Sequence, residues 1–249
     1  MNKTELFKAE LALIEDDDIR SFAQKSLELL PDYFFTCAAS SSGMYHPQYA
    51  LGEQGLVRHT KAAIRFANHM FNIEQSDAEY ITREKDLVIV SLMLHDGWKH
   101  GDKKPDGTYR KTTVFEHPQV ASDWIRNCED LNDWLPQEDR DIMADAVASH
   151  MGQWNTQKRS TFALQKPQSK IQKIVHLCDY LASRKDIEVL FSDYTTPEVE
   201  IPKLEDYVLT FGKHSGEKLV DVAKSDSGYI AWCKENMTRE PMKSLLKQL

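Results

Sequence analysis

Apolar residues recur at intervals of three and four along most of the chain, the spacing of one face of a helix. Residues 3–30 place Leu6, Leu11, Leu13, Ile14, Ile19, Phe22, Leu27, Leu29 and Leu30 in this pattern, and Pro31 ends it. A loop follows with Ser40, Ser41, Ser42, Gly43 and Pro47, running to Gly52 and Gly55. The pattern predicts further helices over roughly 56–72, 77–95, 118–128, 137–151 and 168–189. The stretch 192–206 breaks it with two prolines and several acids and reads as a linker. Beyond it lie a short β-like run, a turn bounded by Gly212 and Gly216, and a helix. The expected fold is mainly α: a helical bundle over 1–190, a linker over 191–204 and a small α+β module over 205–249.

Several helices carry polar residues where the pattern calls for apolar ones. His59 shares a face with Ala63, Phe66 and Met70, and His150 with Met143, Ala146 and Val147. Asp179 shares one with Ile171, Val175 and Ala182, and the apolar run DLVIVSLML ends in His95-Asp96. Burying an unpaired imidazole or carboxylate is costly, so four such placements ask for compensation. Each has an ordinary reading alone: a hydrogen-bonded core histidine, an Asp179–Arg184 pair, a chance His-Asp dipeptide. Together they point to a metal. Mixed imidazole and carboxylate donors suit manganese, iron, cobalt, nickel or zinc, whereas an all-carboxylate set suits magnesium or calcium. Ligands this far apart in sequence need a bundle to converge them.

The order H…HD…H…H…D resembles the HD superfamily of metal-dependent phosphohydrolases, two-metal type. The resemblance runs from about Gly55 to Arg184, through GLVRHT, LMLHDGWKHG, EHPQVASDWI, AVASHMGQW and CDYLASR. Gly97-Trp98 stand where isoleucine-glycine is common in that family. The resemblance implies that His59, His95, Asp96 and Asp179 bind one cation. Asp96 would bridge to a second, held also by His117 and His150. It further implies Asp96 as catalytic, with Lys99 and Arg184 as candidates to grip phosphate oxygens; an ordinary salt bridge is the alternative for both. Two cations about 3.5–4 Å apart would activate a water and offset charge on a phosphoryl group.

The loop between Asp96 and His117 carries Lys99, Lys103, Lys104, Arg110 and Lys111, which fits either capture of a polyanion or a solvated surface. His100 is a candidate proton donor. His69 and His176 are expected to be structural, and His46 receives no role.

Composition narrows the setting. A net charge of -8 argues against broad attraction to nucleic acid. Four scattered cysteines without a CxxC pair argue against a zinc ribbon or disulfide framework and fit a reducing cytoplasm. The sequence predicts neither a membrane span nor a secretory signal. The tail FGKHSGEKLVDVAKSDSGYIAWCKEN resembles the small C-terminal module of exodeoxyribonuclease X-like proteins, on Phe211-Gly212-Lys213, Gly216, Leu219, Val222, Tyr229 and Trp232. Leu219, Tyr229 and Trp232 are expected to form its core. This resemblance implies nucleic-acid contact; a packing appendage or homodimer contact is the alternative.

The expected activity is metal-dependent hydrolysis of phosphoester or phosphoanhydride bonds, in a nucleotide or at a nucleic-acid end. The alternatives are a nucleotide-binding regulatory module without turnover, and a structural metal bundle.

Overall fold

The computed structural model describes residues 2–40, 46–73, 80–158, 160, 162–192, 194, 201–237 and 240–249. The chain divides into two compact units, Met1–Tyr194 and Thr195–Leu249.

The first unit is helical. Where the periodicity predicts one helix over 3–30, the chain forms α1 (Lys3–Leu6), α2 (Lys8–Leu11) and α3 (Asp17–Leu29). Carboxylates make the break. Asp16 caps α3 by accepting the amides of Asp18 and Ile19, both at 3.0 Å. The amides of Glu15 and Asp16 turn outward to the buried carboxylate of Asp86. An N-cap aspartate defines a helix start even inside an apolar repeat.

The centre of the unit is α5 (Thr82–Leu94), buried from Asp86 to Leu94 on every face. Packed around it are α4 (Gly55–Phe71), α7 (Gln137–Ala148) and α8 (Lys170–Ala182), while α6 (His117–Asn127) lies against α7. Each fully buried Leu, Ile or Phe in this bundle contributes roughly 1.5–3 kcal/mol, which is what holds helix ends in place for polar work. Ser169 caps α8 through a reciprocal pair with Gln172.

The periodicity predicts α8 to residue 189, yet it ends at Ala182. Val189 and Phe191, which extend the repeat, reach the core from non-helical chain that runs back over α4. Arg65 donates to the Leu190 carbonyl at 2.7 Å, and the Arg58 guanidinium lies 4.0 Å from the Tyr194 ring centre. Phe191 and Tyr194, expected in the linker, therefore belong to the first unit; 193 and 195–200 lie outside the described residues.

The second unit contains α9 (Leu219–Ser225), α10 (Ser227–Asn236) and α11 (Met242–Leu246) around Leu209, Leu219, Val222, Ile230, Cys233 and Leu245. The expected β contribution reduces, among the described residues, to one antiparallel bridge between Val208 and Lys218. The turn is too tight for a ladder: Gly216 already donates to the Leu209 carbonyl at 2.7 Å. Gly212 and Gly216 both adopt positive φ, and a side chain at Gly212 would collide with the Tyr229 hydroxyl. Trp232, expected inside, is 48% exposed.

Candidate metal centre

Three of the six predicted ligands occupy the same local motif. His95 caps the C-terminus of α5, His117 opens α6, and His150 sits in the turn just past α7 rather than on its last turn. Each ring places Nδ1 against the carbonyl oxygen three residues earlier: Leu92 at 2.6 Å, Val114 at 2.6 Å and Val147 at 2.7 Å. A carbonyl only accepts, so each Nδ1 carries a proton, and each ring in its neutral form presents the Nε2 lone pair. This backbone contact is the usual means of orienting a metal-binding imidazole.

The three Nε2 atoms face Asp96. Its Oδ1 lies 3.0 Å from His117 and 3.9 Å from His150, while its Oδ2 lies 3.5 Å from His95 and 3.8 Å from His59. Asp179, projecting from α8, places Oδ1 3.0 Å from Nε2 of His59 and 3.4 Å from that of His95. Two triads result, His59–His95–Asp96 and Asp96–His117–His150, each with its donor atoms within 4.8 Å of one another. All five of these residues are buried. Asp96 belongs to both triads, one oxygen turned to each.

The donor set fits divalent cations. Nε2 of His95 and Oδ1 of Asp96 are buried without a hydrogen-bond partner. His117 brings its Nε2 to 3.0 Å from the same carboxylate, with Nδ1 engaged at Val114. Nε2 of His117 and of His150 lie 3.3 Å apart, two lone pairs that repel unless a positive charge sits between them. Orphaned buried acceptors converging on one point are what a cation resolves.

Electrostatics in the protein alone point the same way. Burial raises Asp96, but Lys99 and His95 outweigh it and hold its carboxyl well below the usual range. Asp179 is likewise held low, burial being outweighed by His59 and His95. Burial pushes His95 down, yet Asp96 and Asp179 prevail and lift it to about 10. His150 is pushed down to about 3 by burial and by His95. Without a cation, His95 and Lys99 neutralise the two carboxylates; a cation would displace the proton of His95.

The turn carrying Asp96 is held from behind. The Tyr33 hydroxyl donates to the Gly97 carbonyl at 3.2 Å and accepts the His100 amide at 3.2 Å. A side chain at Gly97 would press on Leu30, and Trp98 packs edge-on against Trp124. Lys99 is buried and ion-paired with Oδ2 of Asp96.

A cavity of about 720 Å³ opens onto the triads, lined among others by His46, Lys99, Thr113, Trp154, Tyr180 and Arg184. Among the described residues Arg184 pairs with no carboxylate; its guanidinium lies 4.3 Å from the Tyr180 ring centre, and its buried Nε has no hydrogen-bond partner there. Lys103, Lys104, Arg110 and Lys111 are exposed on the neighbouring loop.

His100 stacks on Tyr33 at 4.3 Å rather than facing the cavity as a proton donor. His69 is exposed. His176 places Nδ1 2.7 Å from the His150 carbonyl and so braces that turn. Sequence reasoning missed His46. It packs edge-on to His59 at 5.0 Å, with a buried, unpartnered Nδ1 and a pKa pushed down mainly by burial. Its loop has no periodicity that could have marked it.

The match that bears on relationship lies outside this cluster. Residues 209–237 match the exodeoxyribonuclease X-like C-terminal family model. No curated protein and no solved structure matches the chain. No helix among the described residues is long and apolar enough to cross a membrane. The described part of the chain is thus a mainly helical protein, with a buried His/Asp cluster able to bind metal and a module shared with exodeoxyribonuclease X-like proteins.

Proposed function

We propose that the first unit is an HD-type phosphohydrolase that holds two divalent transition-metal ions and cleaves phosphoester or phosphoanhydride bonds. The observation that carries this reading is the division of Asp96: one carboxylate oxygen toward His59 and His95, the other toward His117 and His150. In this reading His59, His95, Asp96 and Asp179 hold one ion, and Asp96, His117 and His150 the other. Bound ions supply Lewis acidity toward a phosphoryl oxygen and a water that ionises near neutral pH.

The chain's own residues do the rest. The backbone carbonyls of Leu92, Val114 and Val147 keep the proton on Nδ1 and Nε2 free. Lys99, relieved of neutralising Asp96, carries its ammonium toward the cavity, where a phosphate oxygen is its natural partner. Arg184 provides a second cationic contact from the rim. Burial of the cluster strengthens each of these interactions. The match of 209–237 supports a nucleic acid or its nucleotide as the substrate.

Metal analysis of the purified protein should find about two transition-metal equivalents per chain. Asp96→Ala should lose metal together with manganese-dependent hydrolysis of bis-p-nitrophenyl phosphate, nucleotides or short oligonucleotides. Hydrolysis at the parent rate by Asp96→Ala would refute the assignment.

A further inference from the structure

The cavity carries one built feature that ligand binding leaves unexplained. Trp154 lies in the single turn after His150, and Tyr180 follows Asp179 on α8. Their rings stack nearly parallel, 5.5 Å apart with 15° between planes. The Arg184 guanidinium lies 4.3 Å from the Tyr180 centre and 5.9 Å from that of Trp154. His176 approaches Trp154 edge-on at 6.3 Å. Trp154 is nevertheless 44% exposed. Trp154 also lines the cavity that opens onto the triads. Here three neighbours fix its orientation while much of its surface stays open, with Trp154 four positions from His150 and Tyr180 one position from Asp179.

We infer that Trp154, backed by Tyr180 and Arg184, is a nucleobase subsite, and that the substrates are phosphates bearing a base rather than sugar phosphates, phospholipids or phosphopeptides. The placement of the phosphate at the Asp96 cluster rests on the phosphohydrolase reading. Every base has a π face, so an aromatic platform holds purines and pyrimidines alike without reading an edge. A cavity of about 720 Å³ is more than a phosphate fills and suits a whole nucleotide. Placement next to Asp179 and His150 couples recognition to the cluster: the same turns that orient the ligands orient the platform.

The test is calorimetric binding of non-hydrolysable phosphonate analogues of AMP, UMP and ribose 5-phosphate to the full-length, metal-loaded protein. The AMP analogue should bind at least roughly ten-fold more tightly than the ribose analogue, the effect of one stacked base, with UMP between them. Trp154→Ala should bring all three to the same affinity, and Trp154→Phe should keep most of the preference. Metal content of each variant reports folding; if the alanine variant is unfolded, Trp154→Gln takes its place. A preference that survives loss of the ring, or equal binding of all three by the parent, would overturn the subsite while leaving the phosphohydrolase reading intact. Binding of none by a protein with its metal would overturn that reading, and the subsite with it.

Discussion

Nε2 of His117 and Nε2 of His150 face each other across 3.3 Å, and both rings have already given their Nδ1 proton to a backbone carbonyl. A neutral pair of this kind repels; a cation shared between them converts the repulsion into two bonds. His117→Gln should therefore lower bound metal from about two equivalents to about one while leaving the His59–His95–Asp96 triad able to bind. Plasma emission analysis of the dialysed variant checks this. Retention of both ions would show that His117 is not a ligand.

The brace behind His150 gives a second outcome. Gly152 has φ +56°, and a side chain there would collide with the His176 ring that contacts the His150 carbonyl. Gly152→Ala should destabilise the fold by about 1–3 kcal/mol. It should also weaken metal binding, because the turn holding His150 must shift. Urea unfolding and a metal-chelator competition measure the two effects separately.

Protonation gives a third. With His95 raised to about 10, metal binding at pH 7 must expel its proton. Apparent affinity should rise about ten-fold per pH unit, the release of one proton, and level off near pH 10. For the chelated protein the signs differ between rings. His95 has a raised folded pKa, so its stabilisation is complete below about 6.5 and is lost as pH climbs to about 10. His150 is depressed to about 3. The unfolded chain takes up that proton first, so stability is lost as pH falls below about 6.5. Urea midpoints in EDTA should thus peak near pH 6.5. A midpoint independent of pH between 5 and 9 would contradict both shifts.

In the second unit Asp226 accepts from Lys213 at 2.6 Å, from His214 at 3.0 Å and from the Tyr229 amide at 2.9 Å. It is the N-cap of α10. Asp226→Ala removes that cap and should lower the stability of the unit while leaving metal content unchanged. The His214 imidazole, raised by its contacts with Asp226 and Glu217, should titrate closer to 6.5 in the variant. Histidine NMR on the full chain reports this.

The positions that carry the cluster were legible because they violate a pattern. His59 and Asp179 each occupy an apolar slot on a periodic helix, His150 continues the repeat of α7 into the turn beyond it, and His95-Asp96 end a run that is apolar throughout. Helix existence was legible for the same reason, since α4 to α8 begin and end within a few residues of their repeats, apart from the absent last turns of α8. What escaped was set by contacts distant in sequence. The break before α3 depends on Asp86, some seventy residues away. His46 enters the cavity from a loop whose local sequence has no period, and only the packing of its ring on His59 reveals it. The β-like run of the tail failed as a strand because its turn closes after one bridge.

Leu30 and Tyr33 supply no ligand, yet one leaves no room for a side chain at Gly97 and the other holds its carbonyl. The N-terminal segment thus works as a clamp, setting the angle from which Asp96 reaches both triads. Repacking at Leu30 would retune the spacing of the whole cluster without altering a single donor, so selectivity among similar cations can drift through residues that never touch one.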